Sequence, residues 1–160
     1  MLIMTQRFGR IEIPEREMIT MARPILGFEL LRTFTLLELP DLLPFRWLQS
    51  VDESSIAFLV VNPAIFFPEY RIKIHSNEIA ELGMSAANRI ETYVIVTLGQ
   101  SDKGTTANLQ GPILINPETR LAKQLVLGNS QYDVNHPLVP ARREEISVES
   151  TEMVEELEAV

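Results

Sequence analysis

The 160-residue sequence contains no cysteine. That removes disulfides, thiolate nucleophiles and cysteine metal sites together, and it suits a reducing compartment such as the cytoplasm. Histidine occurs only at His75 and His136, too far apart for a paired metal spacing such as H-E-x-x-H, so structural or surface roles are expected for both. Positive charge is also scarce: 14 Lys and Arg stand against 22 Asp and Glu, for a net charge of -8. Such a surface repels phosphate backbones and argues against direct nucleic-acid binding. It attracts a basic partner and speeds encounter with one. No apolar run approaches the roughly 20 residues that span a bilayer. The N-terminal MLIMTQRFGRIEIP lacks the basic region and long apolar run of a signal peptide. The expectation is a soluble cytoplasmic protein with no membrane contact.

Motifs for catalysis are missing as well. Ser50 lies near Asp52, but G-x-S-x-G is absent, and the SVDESS segment reads more simply as a turn whose Ser and Asp side chains bond nearby backbone. The glycine-rich stretch 98–112 fails as a phosphate loop because Lys103 precedes Gly104, the reverse of the Gly-Lys order that the loop needs. Asp52 and Glu53 are adjacent, so in an extended chain they point to opposite faces. No catalytic residue, metal site or cofactor is expected, and the chain does not read as an enzyme.

What is present is strand. RIEI and YRIKI alternate, with Ile11 and Ile13, then Tyr70, Ile72 and Ile74, on one face. IAFLVV (56–61) and YVIVTL (93–98) are continuous apolar runs of strand length, as expected for strands buried on both faces. PILIN (112–116) and AKQLVLG (122–128) are further strands, while MITM (18–21) and FTLLEL (34–39) are expected to pair. Prolines at 40, 44, 63, 68, 112 and 117 fall between these runs and mark strand ends. Helix is limited to SNEIAELGM (76–84), with Gly83 as its stop. The fold class is mainly β, an antiparallel two-sheet sandwich or pseudo-barrel with one or two short helices. A composition break near Pro140 divides a β domain (1–140) from an acidic segment (141–160), expected to be a solvated, flexible tail.

One stretch gathers aromatic residues: PFRWLQSVDESSIAFLVVNPAIFFPEY, residues 44–70, which holds the only tryptophan. Phe45, Leu48, Phe58 and the apolar run are expected in the core. Trp47, Gln49, Asp52, Phe66, Phe67 and Tyr70 fit either the core or an exposed edge, where aromatic residues become binding hot spots.

This stretch resembles the signature of the FliW family of flagellar assembly factors, through Pro44, Phe45, Leu48, Gln49, Ser50, Asp52, Ala57, Phe58, Pro63, Pro68, Glu69 and Tyr70. Three more blocks occur in the family's order. They are FGRIEIPEREMITMARPILGFE with its Gly27-Phe28-Glu29 turn, the block carrying Thr106, Asn108, Leu109, Pro112 and Ile113, and the strand with Arg120 and Gln124. The chain departs from the family pattern at Ala22, Arg23 and Ile25, and at Ser54 or Ser55 where a proline is common. The resemblance implies a non-catalytic protein that binds the small basic RNA-binding regulator CsrA, relieving its repression of flagellin messenger RNA, and that also binds flagellin. The residues expected to contact a partner are Trp47, Gln49, Asp52, Phe66, Phe67, Tyr70 and Asn108. Two other readings stand beside it: a structural flagellin chaperone without regulator binding, and a small hydrolase or ligand-binding barrel.

Overall fold

The computed structural model describes residues 1–83, 89–99, 104–128 and 131–138. The expected acidic tail and residues 100–103 of the glycine-rich stretch lie outside the described residues. The strands are β1 (Leu2–Thr5), β2 (Gly9–Glu12), β3 (Met18–Arg23), β4 (Thr33–Leu37), β5 (Arg46–Ser50), β6 (Ala57–Val61), β7 (Glu91–Thr97), β8 (Thr106–Ala107), β9 (Ile113–Ile115), β10 (Leu121–Gln124) and β11 (His136–Pro137). Among the described residues one α-helix, α1 (Ser76–Glu81), lies between β6 and β7.

Strands β3 to β7 form an antiparallel meander, apart from the β6-to-β7 connection that carries α1. The edge of β7 not used by β6 is divided between two partners. Its first half pairs with β9 (Tyr93 opposite Ile113), its second half with β8 (Val96 opposite Ala107). Strand β9 pairs with β10, and β10 closes the ring against β3 in parallel, with Leu121 opposite Thr20. The result is a closed seven-stranded mixed barrel, with β8 and β11 extending from β7 and the β1–β2 hairpin forming a small separate sheet. MITM and FTLLEL pair as expected, Met18 opposite Thr35.

The continuous apolar runs are explained by two layers of packing. Val60, Tyr93, Ile113 and Ile115 face the barrel interior with Ile19, Phe34 and Leu48. The alternate residues Leu59, Val61, Val94 and Val96 face outward, yet Tyr70, Leu109 and Leu138 cover them. Both sides of β6 and β7 are therefore dry, which is what an unbroken apolar strand requires. Leu98 is the exception to the expectation for 93–98: it lies beyond the strand and is exposed.

The expected strand at 70–74 does not form. Its in-out alternation is present, with Tyr70 buried and Arg71 and Lys73 exposed, but among the described residues no strand pairs with it. Its backbone is held by turns and side chains instead: the Tyr70 N–H donates to the Phe67 carbonyl and the Arg71 N–H to the Tyr132 hydroxyl (3.1 Å). A period of two reports which residues are buried, not whether the backbone finds a ladder. His75 is the residue preceding α1, where its N–H donates to the Glu78 carboxylate (2.9 Å). His136 lies in β11 and pairs with Ala107.

Helix α1 is shorter than expected, and Gly83 ends it with a φ of +77°. A Cβ at Gly83 would also meet Thr119 Cγ2 at 2.9 Å, so glycine is required twice over. Glu81 fastens the helix to the barrel, accepting from Arg23 Nε and Nη2 and from the buried Lys123 Nζ (2.7 Å). Those donors, Arg23 first, lower the Glu81 pKa to about 2. Among the described residues no helix is long and apolar enough to cross a membrane.

Candidate partner-binding surface

Strand β5 alternates between barrel interior and exterior, with Leu48 inward and Trp47 and Gln49 outward. Gln49 is nevertheless fully buried. Its Nε2 donates to the carbonyls of Ser50 (3.0 Å), Ser54 (3.3 Å) and Ile56 (3.2 Å), stapling the turn that joins β5 to β6. Ser50 Oγ accepts the Glu53 N–H (2.9 Å). The Asp52 carboxylate is exposed, but its Oδ2 accepts the N–H groups of Arg32 (2.7 Å) and Thr33 (2.9 Å), tying the turn to the start of β4. The polar cluster that invites a hydrolase reading is thus bonded to the backbone. An exposed edge for Gln49 is corrected: a polar residue sits in the dry layer because three carbonyls turn toward it.

Trp47 is half-buried. The tip of the β1–β2 hairpin covers it, with the Phe8 ring edge-on at 6.2 Å and Arg7 Cζ 4.2 Å from the indole centroid. Beyond β6, a 3-10 turn at Pro63–Ile65 is capped by Asn62 Oδ1 accepting the Ala64 N–H (2.9 Å). It delivers the half-buried Phe66 and Phe67, which pack against Phe45 (5.7 Å) and His136 (5.0 Å). Tyr70 is buried, again a correction to an exposed edge. Its hydroxyl donates to the Leu109 carbonyl (2.6 Å), its ring lies 4.6 Å from that of Tyr132, and burial raises its pKa. Phe66, Phe67 and Tyr70 meet in one cavity of about 320 Å³, shared with Tyr132 and His136 and rimmed by Glu69.

Asn108 sits elsewhere. Its Oδ1 accepts the N–H groups of Gln110 (3.1 Å) and Gly111 (3.0 Å), while Gln124 bridges the Gly111 carbonyl to the Leu26 N–H. A Cβ at Gly111 would stand 2.8 Å from Gln124 Nε2, so the bridge requires glycine there. These side chains line a second cleft, of about 280 Å³, floored by Phe28, Phe58 and Ile95. Its rim exposes Leu26 (72%), Val126 (64%) and Val134 (50%). Sequence reading missed this rim. The available signal was the run of apolar residues 125–127, longer than a strand with one buried face needs.

The candidate residues therefore fall into four places: the β5–β6 turn with Gln49 and Asp52, the covered Trp47, the aromatic cavity, and the cleft beside Asn108. A FliW protein family model matches residues 2–138 of this chain. The chain belongs to the FliW family. Relatives named flagellar assembly factor FliW include one from Leptospira interrogans serogroup Icterohaemorrhagiae serovar Lai, 37% identical over 90% of this chain and 97% of its own length. Another, from Natranaerobius thermophilus, is 37% identical over 86% of this chain and 92% of its own. A crystal structure of the flagellar assembly factor FliW superposes with a TM-score of 0.80 at 37% identity, covering 88% of this chain and 98% of that one. The FliW fold is thus the mixed barrel described above.

Proposed function

We propose that this chain is a non-enzymatic, cytoplasmic flagellar assembly factor that works by partner switching between a basic, CsrA-like RNA-binding regulator and flagellin. The observation that carries this reading is the FliW family match over residues 2–138. The charge distribution supports it. Residues 141–160 hold two arginines and seven glutamates, so five of the eight net negative charges lie in that segment, on a chain whose partner must be basic enough to hold RNA. Partner contact is assigned to Trp47, Asp52, Phe66, Phe67 and Asn108. Gln49 and Tyr70 shape that surface from beneath. Bound regulator loses RNA without its groove being filled, provided that the two affinities are coupled, and the coupling is then reciprocal.

Titration calorimetry with the purified regulator at low and high salt tests the proposal. Binding that weakens as salt rises is expected, and flagellin should compete. Deleting residues 141–160 should weaken regulator binding mainly at low salt and leave the thermal midpoint within about 2 °C. Flagellin binding with no regulator binding at either salt would replace partner switching with the chaperone reading.

A further inference from the structure

Phe66, Phe67, Tyr70 and Tyr132 line a single cavity with a carboxylate, Glu69, on its rim. The hydroxyls of both tyrosines are engaged with backbone, at the Leu109 carbonyl and the Arg71 N–H. Beside Gln131 and His136, what the cavity presents to a visitor is therefore largely aromatic side chain. Glu69 is exposed and, among the described residues, makes no hydrogen bond or ion pair. The other charged side chain of this segment, Arg71, turns its Nη1 onto the carbonyls of Pro68 (2.9 Å) and Tyr70 (2.9 Å). Ring faces carry negative potential and attract cations, most strongly where water is partly excluded. A flat guanidinium both stacks on such rings and pairs edge-on with a carboxylate, which an ammonium cannot do.

We infer that this cavity takes one arginine side chain of a basic protein partner, its plane against the aromatic rings and its edge toward Glu69. The inference rests on the proposed binding of a basic regulator and names the group that this part of the surface recognises. The excess of acidic residues in the chain brings such a partner in, and the cavity supplies the specific contact.

The test needs no partner protein. The full chain is titrated with N-acetyl-arginine methylamide, then with the norleucine analogue of similar length, following the ring resonances of Phe67, Tyr70 and Tyr132 by NMR. Saturable shifts with the arginine compound alone are expected, weakened about fivefold by Glu69→Gln, as the loss of one exposed charged contact implies. Equal shifts with norleucine would make the cavity an apolar pocket. Shifts of the same rings with protein concentration alone would make its occupant a second copy. Either result, or the absence of saturable shifts with arginine, overturns the inference. Regulator binding by calorimetry is a separate readout. If the regulator binds wild type and Glu69→Gln equally, the arginine contact fails and partner switching stands. If arginine binds and the regulator does not, partner switching fails while the cavity keeps its ligand.

Discussion

The β5–β6 turn and the aromatic cavity look alike in sequence, since both mix polar and apolar residues within 44–70. In the structure they are opposites. At the turn the singled-out polar side chains bond to backbone: Gln49 Nε2 with three carbonyls, while its buried Oε1 has no partner among the described residues, Ser50 with one N–H and Asp52 with two. At the cavity the tyrosine hydroxyls are engaged and the rings pack on one another, but Glu69 is exposed and makes no hydrogen bond or ion pair among the described residues. Residue type alone does not mark a recognition surface. What separates the two regions is exposure: the unused carboxylate of Glu69 faces solvent, whereas the unused Oε1 of Gln49 is buried.

The largest effect that would sharpen this contrast is at Gln49. Gln49→Leu removes, at a fully buried position, an amide that donates to three carbonyls and should cost about 3 kcal/mol in urea unfolding. A loss below about 0.5 kcal/mol would show that the turn holds itself. Asp52→Ala should cost about 2 kcal/mol, because a charged acceptor of two backbone N–H groups is lost, and Asp52→Asn should recover part of that. Asp52 is also proposed to contact the partner, so Asp52→Asn should weaken regulator binding at little cost in stability; unchanged binding would leave Asp52 with its turn role alone.

Glu81 offers a contrast set by pH. Its folded pKa of about 2 lies below the usual carboxylate value near 4.5, through the hydrogen bonds from Arg23 and then Lys123. The stability it contributes is therefore complete above about pH 4.5 and is lost as pH falls toward 2. Between those values wild type should lose stability more steeply than Glu81→Gln in parallel thermal melts. Identical slopes would mean that the clamp on α1 does not hold in solution. The smallest effect belongs to Glu69→Gln, expected within about 0.5 kcal/mol of wild type, because no intramolecular bond is removed. A larger destabilisation would make Glu69 part of the architecture.

Much of the barrel was legible because local pattern carries it. The runs at 56–61, 93–98 and 112–116 are apolar on both sides since the interior and the outer layer each claim alternate residues. Closure was not legible. Leu121 opposite Thr20 is a pairing between distant strands, and nothing in either short strand encodes it. The segment 70–74 misled because burial alternates there without a ladder. Gln49 was ambiguous because three carbonyls from a turn, invisible in a linear reading, make a dry place tolerable for an amide. Of the candidate surface, the aromatic members were legible as a group. Tyr132 and His136, which complete the cavity from about 60 residues away, were not, because chain separation hides them.

The parallel seam between β3 and β10 also sets a schedule for synthesis. Strand β3 emerges from the ribosome early, yet its second hydrogen-bonding neighbour is encoded about a hundred residues later. At roughly 5–20 residues per second, that edge waits on the order of 5–20 seconds for its partner. During that interval the meander is an open sheet with an unpaired strand at its border, the form most exposed to pairing with another nascent chain. The last described β-strands are therefore a lock. Truncation before β10 should yield aggregating fragments rather than smaller barrels, whereas truncation after β11 leaves the ring whole.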